Sequence, residues 1–260
     1  MSVNAIIFDM DDTLITDNDA TRIALQQTAL YAQQQRDLDV EVLLQAVYVH
    51  MRRLWHDSPT FSYCEAIGIS AEEGLWGCFV GTDPNQQALH DWAPTYQVEV
   101  WKRALAEQGH ADHALAEQLA ALFHQERRAS QSLFPETQAV LQELRSNYKL
   151  GLLTNGAPDL QREKIEHCHL AHYFDAIVVS GELGIGKPDP AVFTAILNDL
   201  VVSPQTAVMV GDSLRRDILG ASRSGLKALW INREGIACDR QYAPLIHAQI
   251  ADLRELYQVL

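Results

Sequence analysis

The sequence predicts an α/β protein: a doubly wound parallel sheet into which a mostly helical segment is inserted. Three observations predict it. Short apolar runs bounded by polar or glycine-containing sequence recur along the chain, and helical patterns follow most of them. The first run is separated from the second by about 140 residues, far beyond what a strand-helix-strand crossover needs.

Taken in order, "AIIF" from Ala5, "LGLL" from Leu150, "AIVV" from Ala176 and "AVMV" from Ala207 read as strands buried on both faces, because each run is continuous rather than alternating. "LKALWI" from Leu226 reads as a further strand. Helical patterns begin near Asp159, Pro190 and Asp217. In the long interval, "DNDATRIALQQTALYAQQQ" opens on capping residues and carries Ile23, Ala24, Leu30 and Tyr31 at near-helical spacing; "DVEVLLQAVYVHMRRLW" and "HALAEQLAALFHQERRA" behave similarly. "HDSPTFSYCEAIGIS", with Pro59 and Gly68, and "TDPNQQALHDWAPT" interrupt these patterns and are expected as loops. The predicted organisation is a core of residues 1–17 and 131–260 and a helical unit of residues 18–130.

Composition narrows the function. With Lys+Arg 20 against Asp+Glu 34 and a formal charge of -14, broad binding to nucleic acid or to an anionic membrane is not expected. No run approaches the roughly 18 apolar residues of a membrane span. The start, "MSVNAIIFD", lacks the pattern of a secretory leader, and Cys64, Cys78, Cys168 and Cys238 lack the spacing of a zinc site or a disulfide framework. The expected compartment is the cytoplasm. His167, Cys168, His169 and His172 read as a polar helix end and Arg215-Arg216 as a solvated helix face. Trp55, Trp76, Trp92 and Trp101 read as core.

The chemistry collects at the strand ends. After the first strand comes Asp9-Met10-Asp11-Asp12-Thr13; after the second, Thr154-Asn155-Gly156; after the third, Lys187-Pro188-Asp189-Pro190; after the fourth, Gly211-Asp212-Ser213, with Asp217 further on. Each group alone is an ordinary turn or helix entry. In doubly wound sheets, however, ligands sit outside the carboxyl ends of the strands. Carboxylates crowded there raise one another's pKa, which a bound cation would relieve.

This ordered set resembles the four motifs of the haloacid dehalogenase superfamily, in the branch whose members are mainly magnesium-dependent phosphatases. The resemblance implies Asp9 as the nucleophile that forms an aspartyl-phosphate and Asp11 as the general acid and then base. It implies Mg²⁺ held by Asp9, Asp212 and the main-chain carbonyl of Asp11. Thr154, the amide of Asn155 and Lys187 would grip phosphate oxygens. Thr13 would stabilise the loop, Asp12 would help its turn, and Asp217 would bind the metal through water or orient Lys187. The helical interval resembles a C1-type cap, which implies a small phosphorylated metabolite as substrate.

The stretches "LGLLTNGAPDLQREKIEHCHLAHYFDAIVVSGE" and "VMVGDSLRRDILGASRSGLKALWIN" are similar to the N-acylneuraminate-9-phosphatase subgroup, and less closely to nucleotidases and phosphoglycolate phosphatases. A sugar phosphate such as N-acylneuraminate 9-phosphate is the substrate this implies, with a nucleoside 5'-monophosphate or phosphoglycolate as alternatives. Arg22, Arg52, Arg53 and Lys102 are cations of the helical interval, each read first as a solvated surface group. A 2-haloacid dehalogenase would share the fold, but that branch lacks the residue found here as Asp11. A phosphonatase would need a cap lysine, for which only Lys102 is available. A phospho-accepting receiver and a non-catalytic phosphate-binding protein are the non-enzyme readings.

Overall fold

Among the described residues six strands form one sheet: β1 (Ala5–Phe8), β2 (Lys149–Thr154), β3 (Ala176–Val179), β4 (Ala207–Gly211), β5 (Lys227–Ile231) and β6 (Ala248–Ile250). A computed structural model describes residues 3–260. Every pairing is parallel and the strand order is β3-β2-β1-β4-β5-β6. The chain therefore starts in the middle, builds outward to β3, then returns to the other side of β1 and builds outward again. The crevice at such a reversal is where open α/β sheets bind ligands.

β1 and β4 are buried throughout, and β2, β3 and β5 nearly so, because side chains on both faces meet helices. Alternation sorts them. Ile6, Phe8, Leu150, Leu152, Val208 and Val210 pack on one face with Val140, Leu141 and Leu144. Ala5, Ile7, Leu153, Met209 and Trp230 pack on the other with Val192, Phe193 and Ile196. The sixth strand was not predicted: "AQI" has no apolar run, and at the sheet edge only Ile250 is fully buried.

The chain divides into two compact units. One holds the sheet and comprises the residues up to Thr16, Ser132–Gly156 and Gln161–Leu260; the other comprises Asp17–Gln131 and Ala157–Leu160. Asp17 and Gln131, expected with the core, fall in the helical unit. Four of its helices are Asp17–Gln35, Val40–Trp55, Pro84–Glu107 and His113–Ala129, the last three capped by Asp39, Asp83 and Asp112. The core of this unit includes Leu43, Met51, Trp55, Tyr96, Trp101 and Phe123.

Two expectations for this unit fail. "TDPNQQALHDWAPT" is no loop but part of the Pro84–Glu107 helix, which continues through Pro94. Pro94 is exposed, and burial of Leu89, Ala93, Tyr96, Val100 and Trp101 on the opposite face outweighs its lost hydrogen bond. "HDSPTFSYCEAIGIS" likewise contains the Phe61–Ile67 helix, closed by Gly68 in the left-handed conformation. In Asp17–Gln35 the buried face is Ala20, Thr21, Ala24, Leu25, Thr28, Ala29 and Ala32, while Ile23 and Leu30 are exposed. Small side chains let the His113–Ala129 helix approach closely; of the residues noted at helical spacing, Ala24 and Tyr31 meet the core and Ile23 and Leu30 do not. Trp55, Trp76 and Trp101 are buried as expected, and Trp92 stacks on Tyr96 at 4.8 Å.

Candidate active site

The segment after β1 folds back on itself. The amide of Asp9 donates to the Val210 carbonyl at 2.9 Å, so the strand direction carries one residue past Phe8. Asp12 then adopts φ 57°, and the amides of Thr13, Leu14 and Ile15 all turn to the Met10 carbonyl. An aspartate tolerates that left-handed conformation better than most residues. This matches the expected role of Asp12 in the turn. The turn brings Asp9, Asp11 and Asp12 onto one pocket of about 170 Å³, shared with Asn155, Lys187, Asp212, Ser213, Arg216 and Asp217.

Lys187 is the buried cation of this cluster. Its ammonium pairs with Asp9 and lies 2.8 Å from Asp217 Oδ1. Asn155 fixes its backbone: Nδ2 donates to the Lys187 carbonyl at 2.9 Å and Oδ1 accepts the Lys187 amide at 2.8 Å. Burial works against the charged lysine, but Asp217 and Asp9 outweigh it, and the Lys187 pKa is raised.

Asp212 and Asp217 follow β4. Ser213 donates its amide to Asp217 Oδ2 at 3.0 Å, and its hydroxyl accepts the Arg216 amide at 3.2 Å, opening a π-helical turn over Leu214–Ile218. Gly211 is required there, since a Cβ would stand 2.3 Å from the Asp217 carboxyl carbon. On the far side, Trp230 Nε1 donates to the Asp212 carbonyl at 2.8 Å.

Charge in the pocket is unbalanced. Burial raises the Asp9 carboxyl to about 6 despite Lys187, with Asp217 adding to the rise. The Asp212 carboxyl is raised well above its ordinary value by burial, then by Asp9, Asp217 and Asp12. Carboxylate oxygens of Asp9, Asp212 and Asp217 all lie within 4.8 Å of one another. Three carboxylates facing one ammonium form a net negative, all-oxygen donor set, which fits a hard divalent cation such as Mg²⁺.

Thr13 and Thr154 stand behind the lining. The Thr13 hydroxyl donates to Asp9 Oδ2 at 3.4 Å. Thr154, fully buried, accepts at its hydroxyl from Gln161 Nε2 at 2.9 Å. Gly156, at φ 141°, leaves room for the Gln161 side chain, which a Cβ would meet at 2.8 Å.

Several groups were not foreseen. Gln161 and Lys164, from the Pro158–His167 helix, both bind Asp11. Arg233 donates to the Thr13 carbonyl at 2.9 Å, pairs with Glu136 at 2.7 Å and lies over the Phe134 ring. Their spacing from the motifs carries no signal; only the i,i+3 placement of Gln161 and Lys164 puts that pair on one helix face. Arg216, read as a solvated helix residue, is exposed but lines the pocket, and among the described residues its guanidinium makes no ion pair. His167, His169 and Cys168 join no metal cluster among the described residues. All four cysteines are free. No helix among the described residues is long and apolar enough to cross a membrane.

The chain resembles known proteins in sequence and in fold. The family model for haloacid dehalogenase-like hydrolases matches residues 3–225. A phosphoserine phosphatase of Thermus thermophilus is 38% identical, over 97% of this chain and 97% of its own. A human N-acylneuraminate-9-phosphatase is 34% identical, over 99% of this chain and 94% of its own. Among solved structures, a 2-haloacid dehalogenase from Pseudomonas syringae superposes with a TM-score of 0.59 at 28% identity, covering 99% of this chain and 97% of that one.

Proposed function

This chain belongs to the haloacid dehalogenase-like hydrolase family, and from that premise we propose that it is a magnesium-dependent phosphatase of a small phosphate monoester, working through an aspartyl-phosphate. The observation that carries the reading is one pocket lined by Asp9, Asp11, Lys187 and Asp212. Asp9 attacks phosphorus as the P–O bond to the leaving group breaks. Asp11 gives that oxygen its proton and then takes one from the water that hydrolyses the acyl phosphate. Lys187 and the Asn155 amide hold the phosphate oxygens as charge shifts among them. Thr154 serves the same grip from behind, through Gln161 and Asn155. Asp9, Asp212 and the Asp11 carbonyl would hold Mg²⁺, while Asp217 orients Lys187. Bound there, the metal offsets the repulsion between the nucleophile and the phosphate.

The helical unit is read as a C1-type cap that selects the leaving group. Phosphoserine and N-acylneuraminate 9-phosphate, named by the two full-length relatives, are both phosphate monoesters that carry a carboxylate. Arg216 supports a substrate of that kind, as a guanidinium at the pocket suited to a second anionic group. Reduced thiols and an acidic surface support a cytoplasmic enzyme.

Phosphate release from a panel of N-acylneuraminate 9-phosphate, phosphoserine, phosphoglycolate, nucleoside monophosphates and neutral sugar phosphates, with and without Mg²⁺, tests the reading. Carboxylated esters should lead, and Asp9→Asn should lose about 10⁴-fold or more. Asp212→Asn should move the magnesium midpoint upward about 10- to 100-fold. Turnover of 2-haloacids but of no phosphate ester, or full activity in a folded Asp9→Asn protein, would overturn it.

A further inference from the structure

Lys164 has no part in the reactions just described and Gln161 enters them only as a link behind Thr154, yet both are buried, at 2% and 0% exposure. Lys164 Nζ lies 3.0 Å from Asp11 Oδ1 and 3.1 Å from Oδ2. Gln161 Nε2 lies 2.9 Å from Asp11 Oδ2 and 2.9 Å from Thr154 Oγ1, and it also donates to the Asn155 carbonyl. One helix face thus ties the carboxylate after β1 to the hydroxyl that ends β2. Burying an ammonium is unfavourable unless its partners offset the lost hydration, a cost that an apolar residue of similar length would avoid.

We propose that Lys164 and Gln161 are positioning residues that hold the Asp11 carboxylate at the pocket wall in the orientation from which it transfers protons. This rests on the reading of Asp11 as the acid and base of a phosphatase. Asp11 stands on a tight turn beside a residue at positive φ. Donors to both oxygens from a single helix fix the direction of its carboxylate. In the first step the proton passes from the Asp11 carboxyl to the ester oxygen as that oxygen leaves phosphorus and Asp9 bonds to it. In the second, water loses its proton to Asp11 as it displaces Asp9.

The test compares an alkyl phosphate, whose leaving oxygen needs a proton, with p-nitrophenyl phosphate, whose leaving group departs as the anion. Asp11→Asn should lose far more kcat on the alkyl ester than on the aryl ester. Lys164→Met should show the same bias, with about a 10- to 100-fold loss on the alkyl ester, and Gln161→Leu a smaller one. Lys164→Arg, which keeps the charge, should retain more of the alkyl activity than Lys164→Met. Because Lys164 acts through Asp11, the Asp11→Asn/Lys164→Met double variant should be no slower than Asp11→Asn alone. Equal losses on both esters for Lys164→Met, or full additivity in the double variant, would overturn the inference while leaving the phosphatase reading in place. An unbiased Asp11→Asn would overturn the acid and base assignment itself, and the inference with it. Should Lys164→Met fail to fold, Gln161→Leu and Lys164→Arg carry the same comparison.

Discussion

Arg127 in the helical unit and Lys187 in the sheet unit are both buried cations, and they are partnered differently. In the helical unit, Arg127 is 1% exposed; it pairs with Asp17, donates to Thr21 Oγ1 at 3.0 Å and Gln131 Oε1 at 2.7 Å, and lies 4.9 Å over the Trp76 ring. Its one carboxylate and two neutral acceptors balance one guanidinium. In the sheet unit, Lys187 meets two carboxylates directly, with Asp212, Asp11 and Asp12 on the same pocket. The first arrangement is satisfied and holds helices together. The second keeps several carboxylates at one pocket, where burial first, and then neighbouring carboxylates, raise Asp9 and Asp212.

Removing each cation in turn is the sharpest way to break that contrast. Lys187→Met should cost turnover about 10³-fold, because a group that meets developing charge is lost. Arg127→Met should instead cost stability, about 3 kcal/mol, by leaving Asp17 without its buried partner. Steady-state kinetics and denaturant melts of both variants check it; a stability loss for Lys187→Met larger than that of Arg127→Met would undo the distinction.

A smaller effect comes from the burial of Asp9, to which Asp217 adds. Asp9 binds its proton more tightly folded, with a pKa raised from 3.8 to about 6. Its contribution to stability is therefore present below about pH 4 and lost as pH rises through about 6. In chelator at pH 7.5, Asp9→Asn should melt higher than wild type, by at most about 3 kcal/mol from a shift of about two pH units. At pH 4 the two should converge, and Mg²⁺ should restore wild type at the higher pH. Equal melting at both pH values would show that the cluster carries no such penalty.

Much of the site was legible because its residues are tied to strand ends. Asp9, Thr154 and Asp212 each end or follow an apolar run, and a parallel sheet whose order reverses at β1 must bring those ends together. Asp9, Asp11, Asn155, Lys187 and Asp212 accordingly share the pocket, whereas Thr13 and Thr154 support it from behind. The edge strand Ala248–Ile250 and the Pro84–Glu107 helix were illegible for opposite reasons. One has too little apolar sequence to register, and the other carries a proline that local preference counts against it.

What the sequence by itself determined is five of the six strands, the motifs that follow the first four, the parallel sheet they require and the identity of the acidic cluster, since these follow from local runs and from topology. What only the tertiary structure decided is which side chains reach that cluster from elsewhere. Gln161 and Lys164 sit about 150 residues from Asp11, Arg233 lies 220 residues from Thr13, and Arg216 differs from its neighbour Arg215 only in which way it faces. Contacts over such separations leave no mark on local periodicity, so packing alone selects them.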